Sequence, residues 1–201
     1  MKLAGRVIYV TGAPGVGKTS VTQRLIERHQ DVVVFEYGRR MADHLSSKNL
    51  TSPVDQILLR GGTGNIVSKE DIAAVNSEMV EWSNAARALK MVLIDTHQVT
   101  LESYGFRVAP FNEQELRLLG ITDVLLLVAP DEIVVSRIEA KHGGRRVPSL
   151  FQAKIHAESQ LQVAISYSVL AGVEARIIEA QAELSDVVVM VERALNLEQS
   201  G

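Results

Sequence analysis

Five short apolar runs, most of them rich in β-branched residues, alternate with helical patterns along this chain of 201 residues. The runs do not alternate strictly between apolar and polar side chains, which is typical of strands that helices cover on both faces. The predicted strands are residues 7–10, 32–35, 91–94, 124–128 and 176–178. Strands separated by helices indicate a parallel sheet. We therefore predict an α/β fold with a doubly wound five-stranded parallel sheet, formed by residues 1–201 as a single domain.

Helices are predicted between and after these strands. Pro130 followed by two acidic residues is a good helix start, and Gly172 is a plausible helix C-cap. The predicted helices are residues 20–30, 71–89, 133–140, 151–170 and 183–195. Two segments interrupt the pattern: a long excursion at residues 38–89 and a basic loop at residues 141–148. Ligands of such sheets bind beyond the carboxyl ends of the strands, so we expect these segments to build an acceptor pocket and a lid.

The composition excludes several classes of protein. The chain has no cysteine, so disulfides, thiolate metal sites and cysteine nucleophiles are absent. A net charge of −3 provides no general attraction to nucleic acid or to anionic membranes. No run of about eighteen apolar residues predicts a membrane span. The first predicted strand begins close to Met1 and leaves no room for a signal peptide, so a cytoplasmic protein is expected.

A complete G-x-x-x-x-G-K-[ST] motif, the Walker A sequence, follows the first predicted strand and opens the first predicted helix. Glycines allow backbone N–H groups to turn inward around an anion, and a helix N-terminus adds partial positive charge. We expect this loop to bind a nucleoside triphosphate such as ATP; a glycine-rich turn that binds nothing is the alternative. The predicted nucleotide-binding residues are Gly12, Ala13, Pro14, Gly15, Val16, Gly17, Lys18, Thr19 and Ser20.

A magnesium site is predicted between this loop and the third strand. Lys18 can reach the β- and γ-phosphates, and the Thr19 hydroxyl can bind Mg²⁺. Asp95 ends the third strand, where a carboxylate is the expected partner of Mg²⁺. The alternative is that Asp95 caps the next segment. His97 is interpreted either as an orienting or substrate residue or as a structural histidine.

Arginines are predicted to stabilise the migrating phosphoryl group, since phosphoryl transfer depends on positive charge around it. Arg137 lies late on a predicted helix, and Arg145 and Arg146 follow two glycines in the basic loop. We predict that this loop closes over the nucleotide as a lid; a solvated basic loop is the alternative. Five further arginines are candidates for gripping an acceptor phosphate: Arg39, Arg40, Arg60, Arg87 and Arg107.

At these motifs the chain resembles the P-loop nucleoside monophosphate kinases, and most of all the archaeal-type adenylate kinases. The resemblance is carried by residues 10–22, by Asp95-Thr96-His97 with the strand before it, by residues 130–137 and by residues 167–172. It implies transfer of the γ-phosphate of ATP to AMP or a related nucleoside monophosphate. It also implies catalytic roles for Lys18, Asp95, Arg137 and Arg145, with Thr19 and Asp95 at Mg²⁺.

The chain departs from this family on the acceptor side. Gly38-Arg39 stands where such kinases tend to have Gly-Asp, Leu161 stands where an arginine is expected, and Arg145 and Arg146 are adjacent. Two alternatives therefore stay open beside a nucleoside monophosphate kinase. One is a P-loop kinase of a non-nucleotide small molecule, and the other is an ATP-binding regulator with weak ATPase activity.

Overall fold

The computed structural model describes residues 3–48, 67–140 and 146–197. Seven strands are present in these ranges: β1 (Val7–Thr11), β2 (Val32–Glu36), β3 (Met91–Asp95), β4 (Val99–Glu102), β5 (Gly105–Val108), β6 (Asp123–Val128) and β7 (Ala175–Glu179). The five predicted strands form one parallel sheet in the order β2-β3-β1-β6-β7. The predicted doubly wound five-stranded sheet is therefore confirmed.

Seven helices accompany the strands in the described ranges. They are α1 (Lys18–Arg28), α2 (Tyr37–Ser47), α3 (Lys69–Ala86), α4 (Glu113–Leu119), α5 (Asp131–Ala140), α6 (Leu150–Ala171) and α7 (Leu184–Ala194). One core cluster joins the sheet to α2, α3, α4 and α6, and a second joins it to α1 and α7. Both faces of the sheet are thus covered, which explains why every residue of β1 and β3 is buried and why these strands lack polar alternation.

The strand register brings three carboxyl ends to one edge of the sheet. Asp95 pairs with Val10 of β1 on one side and with Glu36 of β2 on the other. The phosphate loop follows β1 directly, so its residues, Glu36 and Asp95 share this edge. This is the edge where ligands of open α/β sheets bind.

The helix boundaries have clear local causes. Capping boxes begin α3 at Ser68, α4 at Asn112 and α6 at Ser149, each with a polar partner three residues later. The predicted cap at Gly172 is confirmed, because this residue ends α6 with φ +67°. None of the described helices is long and apolar enough to cross a membrane.

Three parts of the fold were not predicted. The antiparallel hairpin β4–β5 and the short helix α4 lie between β3 and β6, where the sequence analysis assigned no element. Each strand of the hairpin has four residues, which is too short for a two-residue period to be distinctive. The Asn112–Glu115 capping box was a usable signal for α4. Helix α2 was hidden because it begins directly after β2, with no separating turn.

Candidate active site

The phosphate loop adopts a backbone that requires glycine. Gly12, Gly15 and Gly17 have φ values of +146°, +89° and +107°. A Cβ atom at Gly12 would lie 2.5 Å from the Leu127 carbonyl oxygen. Steric overlap and the positive φ both exclude other residues at this position. Helix α1 then begins at Gly17 with no side-chain cap and no acidic residue in its first turn. Its N-terminal amides are left for an anion.

Lys18 lies across this loop. Its side chain is buried, and the Nζ atom donates a hydrogen bond of 2.8 Å to the carbonyl oxygen of Gly12. The ammonium group is therefore held beside the loop. An ammonium group at this position compensates the charge of a bound polyphosphate.

Thr19 and Asp95 bring two oxygen ligands together. The Thr19 Oγ1 atom lies 3.5 Å from Asp95 Oδ2, which is long for a hydrogen bond. Burial raises the pKa of Asp95, Lys18 opposes this shift, Glu36 adds to it, and the hydrogen bond from Thr19 opposes it. Glu36, which the sequence analysis missed, accepts a hydrogen bond of 2.6 Å from Gln23 Nε2. The sequence feature that could have identified Glu36 as a site residue is its position at the end of a predicted strand.

These residues fit a magnesium ion shared with a phosphate. A buried carboxylate and a hydroxyl are hard oxygen ligands, and Mg²⁺ in phosphate sites uses one or two carboxylates with phosphate oxygens and water. Within the described ranges no group of three or more His, Cys, Asp or Glu side chains forms a complete protein cage for a metal. Thr19 and Asp95 are thus the residues that would bind Mg²⁺ together with the nucleotide.

A cavity of about 340 Å³ lies on the outer side of the phosphate loop. It is bounded by the loop and α1 on one side and by the segment between β7 and α7 on the other, with Ala180, Ala182 and Leu184 in its wall. Arg137 also lines it, and its Nη1 donates to the carbonyl oxygens of Val16 at 3.2 Å and Ala180 at 2.8 Å. The arginine thereby connects the two walls. Its predicted role at the migrating phosphoryl group stays a prediction.

A second cavity, of about 160 Å³, lies on the other side of Asp95. We call it the acceptor cavity. It is enclosed by α2, α3, the residues after β3 and the hairpin β4–β5. The lining residues are Tyr37, Gly38, Met41, Val67, Ile72, Asn76, Thr96, His97, Gln98, Thr100, Arg107, Ala109 and Phe111.

A chain of hydrogen bonds orders one wall of the acceptor cavity. The Tyr37 hydroxyl donates to Asn76 Oδ1 at 2.9 Å, and Asn76 Nδ2 donates to Glu115 Oε1 at 2.6 Å. Burial, with a smaller effect of Glu115, raises the pKa of Tyr37, so this hydroxyl stays a donor at neutral pH. The orientation of the Asn76 amide is therefore determined by its neighbours. None of these three residues carried a motif in the sequence.

The five acceptor-side arginine candidates have different positions. Arg107 lines the acceptor cavity, with its Nε atom 3.7 Å from Glu102. Arg40 pairs with Glu78 at 2.9 Å and lies over the Phe35 ring. Arg87 donates to the Leu119 carbonyl oxygen, and Arg39 is exposed. Arg60 lies outside the described residues.

Part of the predicted lid also lies outside the described residues, including Arg145. Arg146 is described and is exposed. Leu161, which stands where the resemblance led us to expect an arginine, packs against the core cluster as a partly buried apolar side chain. His97 lines the acceptor cavity, in agreement with the substrate interpretation, although its role is not thereby tested.

Comparison with known proteins identifies the family. A family model described as an AAA domain matches residues 11–150. The chain belongs to this AAA domain family. Its curated relatives include the adenylate kinases of Methanoculleus marisnigri, 28% identical over 88% of this chain and 90% of the relative, and of Methanopyrus kandleri, 25% identical over 87% and 89%. The predicted recognition of an adenylate kinase-like P-loop enzyme is confirmed.

A solved structure similar to this AAA domain is that of an unliganded sugar kinase from Janibacter sp. HTCC2649. The TM-score is 0.54 with 17% sequence identity, over 96% of this chain and 95% of the other. This similarity confirms the P-loop kinase fold. The identity of the acceptor is a separate matter, which depends on the acceptor cavity.

Proposed function

We propose that this AAA domain protein is a nucleoside monophosphate kinase, which transfers the γ-phosphate of ATP to AMP or a related nucleoside monophosphate. The observation that carries the proposal is the position of two cavities on either side of one catalytic edge. The cavity beside Arg137 begins at the phosphate loop, and the acceptor cavity begins at Thr96, next to Asp95. The two curated adenylate kinases support the same reaction class.

In the proposed reaction the phosphate loop and Lys18 bind the triphosphate of ATP. Thr19 and Asp95 would hold Mg²⁺ together with the nucleotide, and the ion would supply positive charge that neutralises the phosphates. An oxygen of the acceptor phosphate forms a bond to the γ-phosphorus, while the bond from that phosphorus to the bridging oxygen breaks and ADP leaves. An ionised acceptor phosphate carries no proton on the attacking oxygen, so no side chain has to act as a base.

The arginines belong to the transition-state part of the proposal. Charge spreads over the oxygens of the migrating group as it is transferred, and a guanidinium group stabilises that charge. We propose Arg137, Arg145 and Arg146 for this role, with residues 141–148 closing as a lid. Closure would exclude water and favour transfer to the acceptor over hydrolysis.

The decisive experiment is a transfer assay. The purified protein is incubated with ATP, Mg²⁺ and each nucleoside monophosphate in turn, and formation of both nucleoside diphosphates is measured. We expect acceptor-dependent turnover with AMP or a related monophosphate. ATP consumption that no monophosphate increases would contradict the proposal and favour an ATP-binding regulator.

One observation favours a second candidate, a kinase of a small hydroxyl compound. Arg107 is the one permanently charged side chain among the described residues of the acceptor cavity, and it is paired with the buried Glu102. The remaining lining is apolar or neutral, which suits a hydroxyl group better than a phosphate dianion. The same assay with sugars and nucleosides tests this candidate, and turnover with these compounds but no monophosphate would establish it.

The cavity beside Arg137 is proposed as the site of the ATP base and ribose. Ala182 lines this cavity and is exposed, so a large side chain there fills the cavity without disturbing the core. We expect Ala182→Tyr to raise the KM for ATP and to leave the KM for the acceptor unchanged. The predicted cytoplasmic location and the absence of nucleic-acid and membrane partners stay predictions.

A further inference from the structure

Thr96 lines the acceptor cavity and is hydrogen-bonded to the strand that leads into the phosphate loop. It follows Asp95 in sequence, and its backbone N–H donates to the carbonyl oxygen of Val10 at 3.2 Å. Val10 is two residues before Gly12, the first residue of the phosphate loop. A group bound against Thr96 is therefore held at the side of the cavity where the acceptor meets the donor phosphate.

The hydroxyl group of Thr96 is buried without a hydrogen-bond partner. The residue is 2% exposed, and its Oγ1 atom has no partner among the described residues. Buried polar atoms of native proteins are almost always paired, because an unpaired hydroxyl loses its water and gains nothing in return. Thr96 lines the acceptor cavity, whereas Ser83, whose hydroxyl is also buried and unpaired among the described residues, does not, so a ligand bound in the cavity is the partner that we consider for Thr96.

The neighbouring lining residues are already engaged. Gln98 accepts a hydrogen bond from the Tyr9 hydroxyl, and Asn76 is held between Tyr37 and Glu115. The hairpin pairs Thr100 directly with Arg107, and the Thr100 hydroxyl donates to Glu102 Oε1 at 3.1 Å. Thr96 thus differs from these residues in having a hydroxyl whose partner is not provided by the described protein.

We propose that the Thr96 hydroxyl binds the phosphate acceptor and orients the oxygen that receives the phosphoryl group. The proposal rests on the proposed kinase function. It adds Thr96, the residue that follows Asp95, as a side chain that contacts the acceptor. A hydroxyl can donate to an acceptor phosphate oxygen or accept from an acceptor hydroxyl. Thr96 can therefore bind a phosphate acceptor or a hydroxyl acceptor, and the test distinguishes these two kinds of acceptor.

The test compares Thr96→Val with Ser83→Ala. Ser83 is a matched control because its hydroxyl is also buried and also lacks a partner among the described residues, while its position on α3 is not in the cavity lining. Both changes remove an unsatisfied hydroxyl, so both variants should melt at or above the wild-type temperature. Thr96→Ser, which keeps the hydroxyl, is the rescue variant.

With a nucleoside monophosphate as acceptor, we expect Thr96→Val to lower kcat/KM for the acceptor about tenfold, the effect of one lost hydrogen bond. ATP affinity should be unchanged, and Ser83→Ala and Thr96→Ser should behave like the wild type. Unchanged acceptor kinetics in Thr96→Val would overturn the proposal. An equal loss in Ser83→Ala would also overturn it, because the effect would then be structural.

If the wild type transfers phosphate to no monophosphate, the proposed function fails. The role of Thr96 is then tested by ligand binding instead of turnover. The melting temperature is then measured with a non-hydrolysable ATP analogue and a panel of nucleosides, sugars and nucleoside monophosphates. A compound that stabilises the wild type and Thr96→Ser but not Thr96→Val supports the role of Thr96. Equal stabilisation of all three proteins, or stabilisation by no compound, contradicts it.

Discussion

The hydroxyl of Thr19 lies 3.5 Å from the carboxylate of Asp95, although 76 residues separate them in the chain. The register between β1 and β3 produces this approach, because it places Asp95 beside Val10, immediately before the phosphate loop. Two oxygen ligands are thereby presented at the edge where a nucleotide phosphate would bind. This relationship favours the predicted Mg²⁺ role of Asp95, which stays a prediction, over the alternative that Asp95 caps the next segment.

Replacing Lys18 by alanine is expected to abolish ATP binding or to reduce turnover by at least about a hundredfold, since the loop loses its main cation. The protein should stay folded, because the lost hydrogen bond is to a single loop carbonyl. Titration calorimetry with ATP and circular dichroism measure both effects. Lys90→Ala is the matched control, since Lys90 Nζ also donates to a backbone carbonyl at 2.8 Å, far from this loop. Normal turnover in Lys18→Ala would refute the site assignment.

Asp95→Asn should reduce turnover at least about a hundredfold while leaving the nucleotide-free protein as stable as the wild type or more stable. The pKa of Asp95 is raised in the folded protein, so ionisation of this group lowers stability as the pH rises from about 4 through its folded value. The variant lacks this group, and its stability relative to the wild type should increase with pH. Urea unfolding at several pH values without Mg²⁺ measures the difference.

The control for this prediction is Asp123→Asn. Asp123 is equally buried but is paired with Arg6 at 3.2 Å and Arg176 at 2.5 Å. Removing this carboxylate leaves Arg6 with the carbonyl oxygen of Leu195 and Arg176 with Glu174, so two ion pairs are lost at a buried carboxylate, and this should cost roughly 3 kcal/mol. If Asp95→Asn were destabilised to the same degree, Asp95 would be a structural residue.

Replacing Arg145 and Arg146 together by alanine should lower the transfer rate about a hundredfold and change ATP affinity much less. Lid charge acts chiefly on the transition state, where negative charge is developing on the migrating group. Single-turnover kinetics and equilibrium binding of ATP separate the two effects. The double variant of Arg24 and Arg117, which are exposed on other helices, controls for loss of surface charge. Equal losses in rate and affinity would identify the pair as ground-state ligands.

Asp71→Asn should destabilise the pair of helices that form one side of the acceptor cavity, by about 1 kcal/mol, the usual net contribution of one hydrogen bond. Asp71 completes the capping box of α3, and its Oδ1 atom contacts His44 of α2 at 3.0 Å and Lys48, which follows α2, at 2.5 Å. The hydrogen bond from Lys48, followed by those from Ser68, holds the pKa of Asp71 well below its usual range. The stabilisation is therefore present above the ordinary pKa near 4 and is lost as the pH falls through the folded value.

Chemical unfolding at neutral and strongly acidic pH tests this pH dependence. The wild type and Asp71→Asn should differ at pH 7 and converge in acid. Asp186→Asn, in the first turn of α7, is a suitable control because that helix has no side-chain cap. A difference between wild type and Asp71→Asn that is the same at both pH values would show that charge is not involved.

The sequence predicted the five-stranded sheet and the position of the phosphate loop, and the roles of the donor-side residues stay predictions. The runs at residues 7–10 and 91–94 were recognisable because buried parallel strands are nearly continuous apolar runs. In the structure each strand extends by one polar residue, Thr11 or Asp95. The phosphate loop was predictable for a related reason. Its backbone needs glycine at Gly12, Gly15 and Gly17, so the conformation is encoded locally.

The residues that line the acceptor cavity could not be predicted in the same way. Four residues of the acceptor cavity come from separate parts of the chain: Tyr37, Asn76, Thr96 and Arg107. Thr96 belongs to the Asp95-Thr96-His97 segment, but that segment does not indicate which distant residues line the cavity with it. The hairpin that carries Arg107 is too short for its periodicity to be recognised. Of the arginines named from the sequence, only the packing distinguishes Arg107 in the cavity from Arg87, which binds the carbonyl oxygen of Leu119.

The sequence by itself determined the strand–helix alternation, the phosphate loop and the carboxylate at the end of β3, because each depends on residues that are neighbours in the chain. Only the tertiary structure decided which side chains line the acceptor cavity and that the Thr96 hydroxyl is buried without a partner among the described residues. Burial and pairing depend on atoms that are distant in sequence. Their positions follow from the packing of α2, α3 and the hairpin around the edge of the sheet.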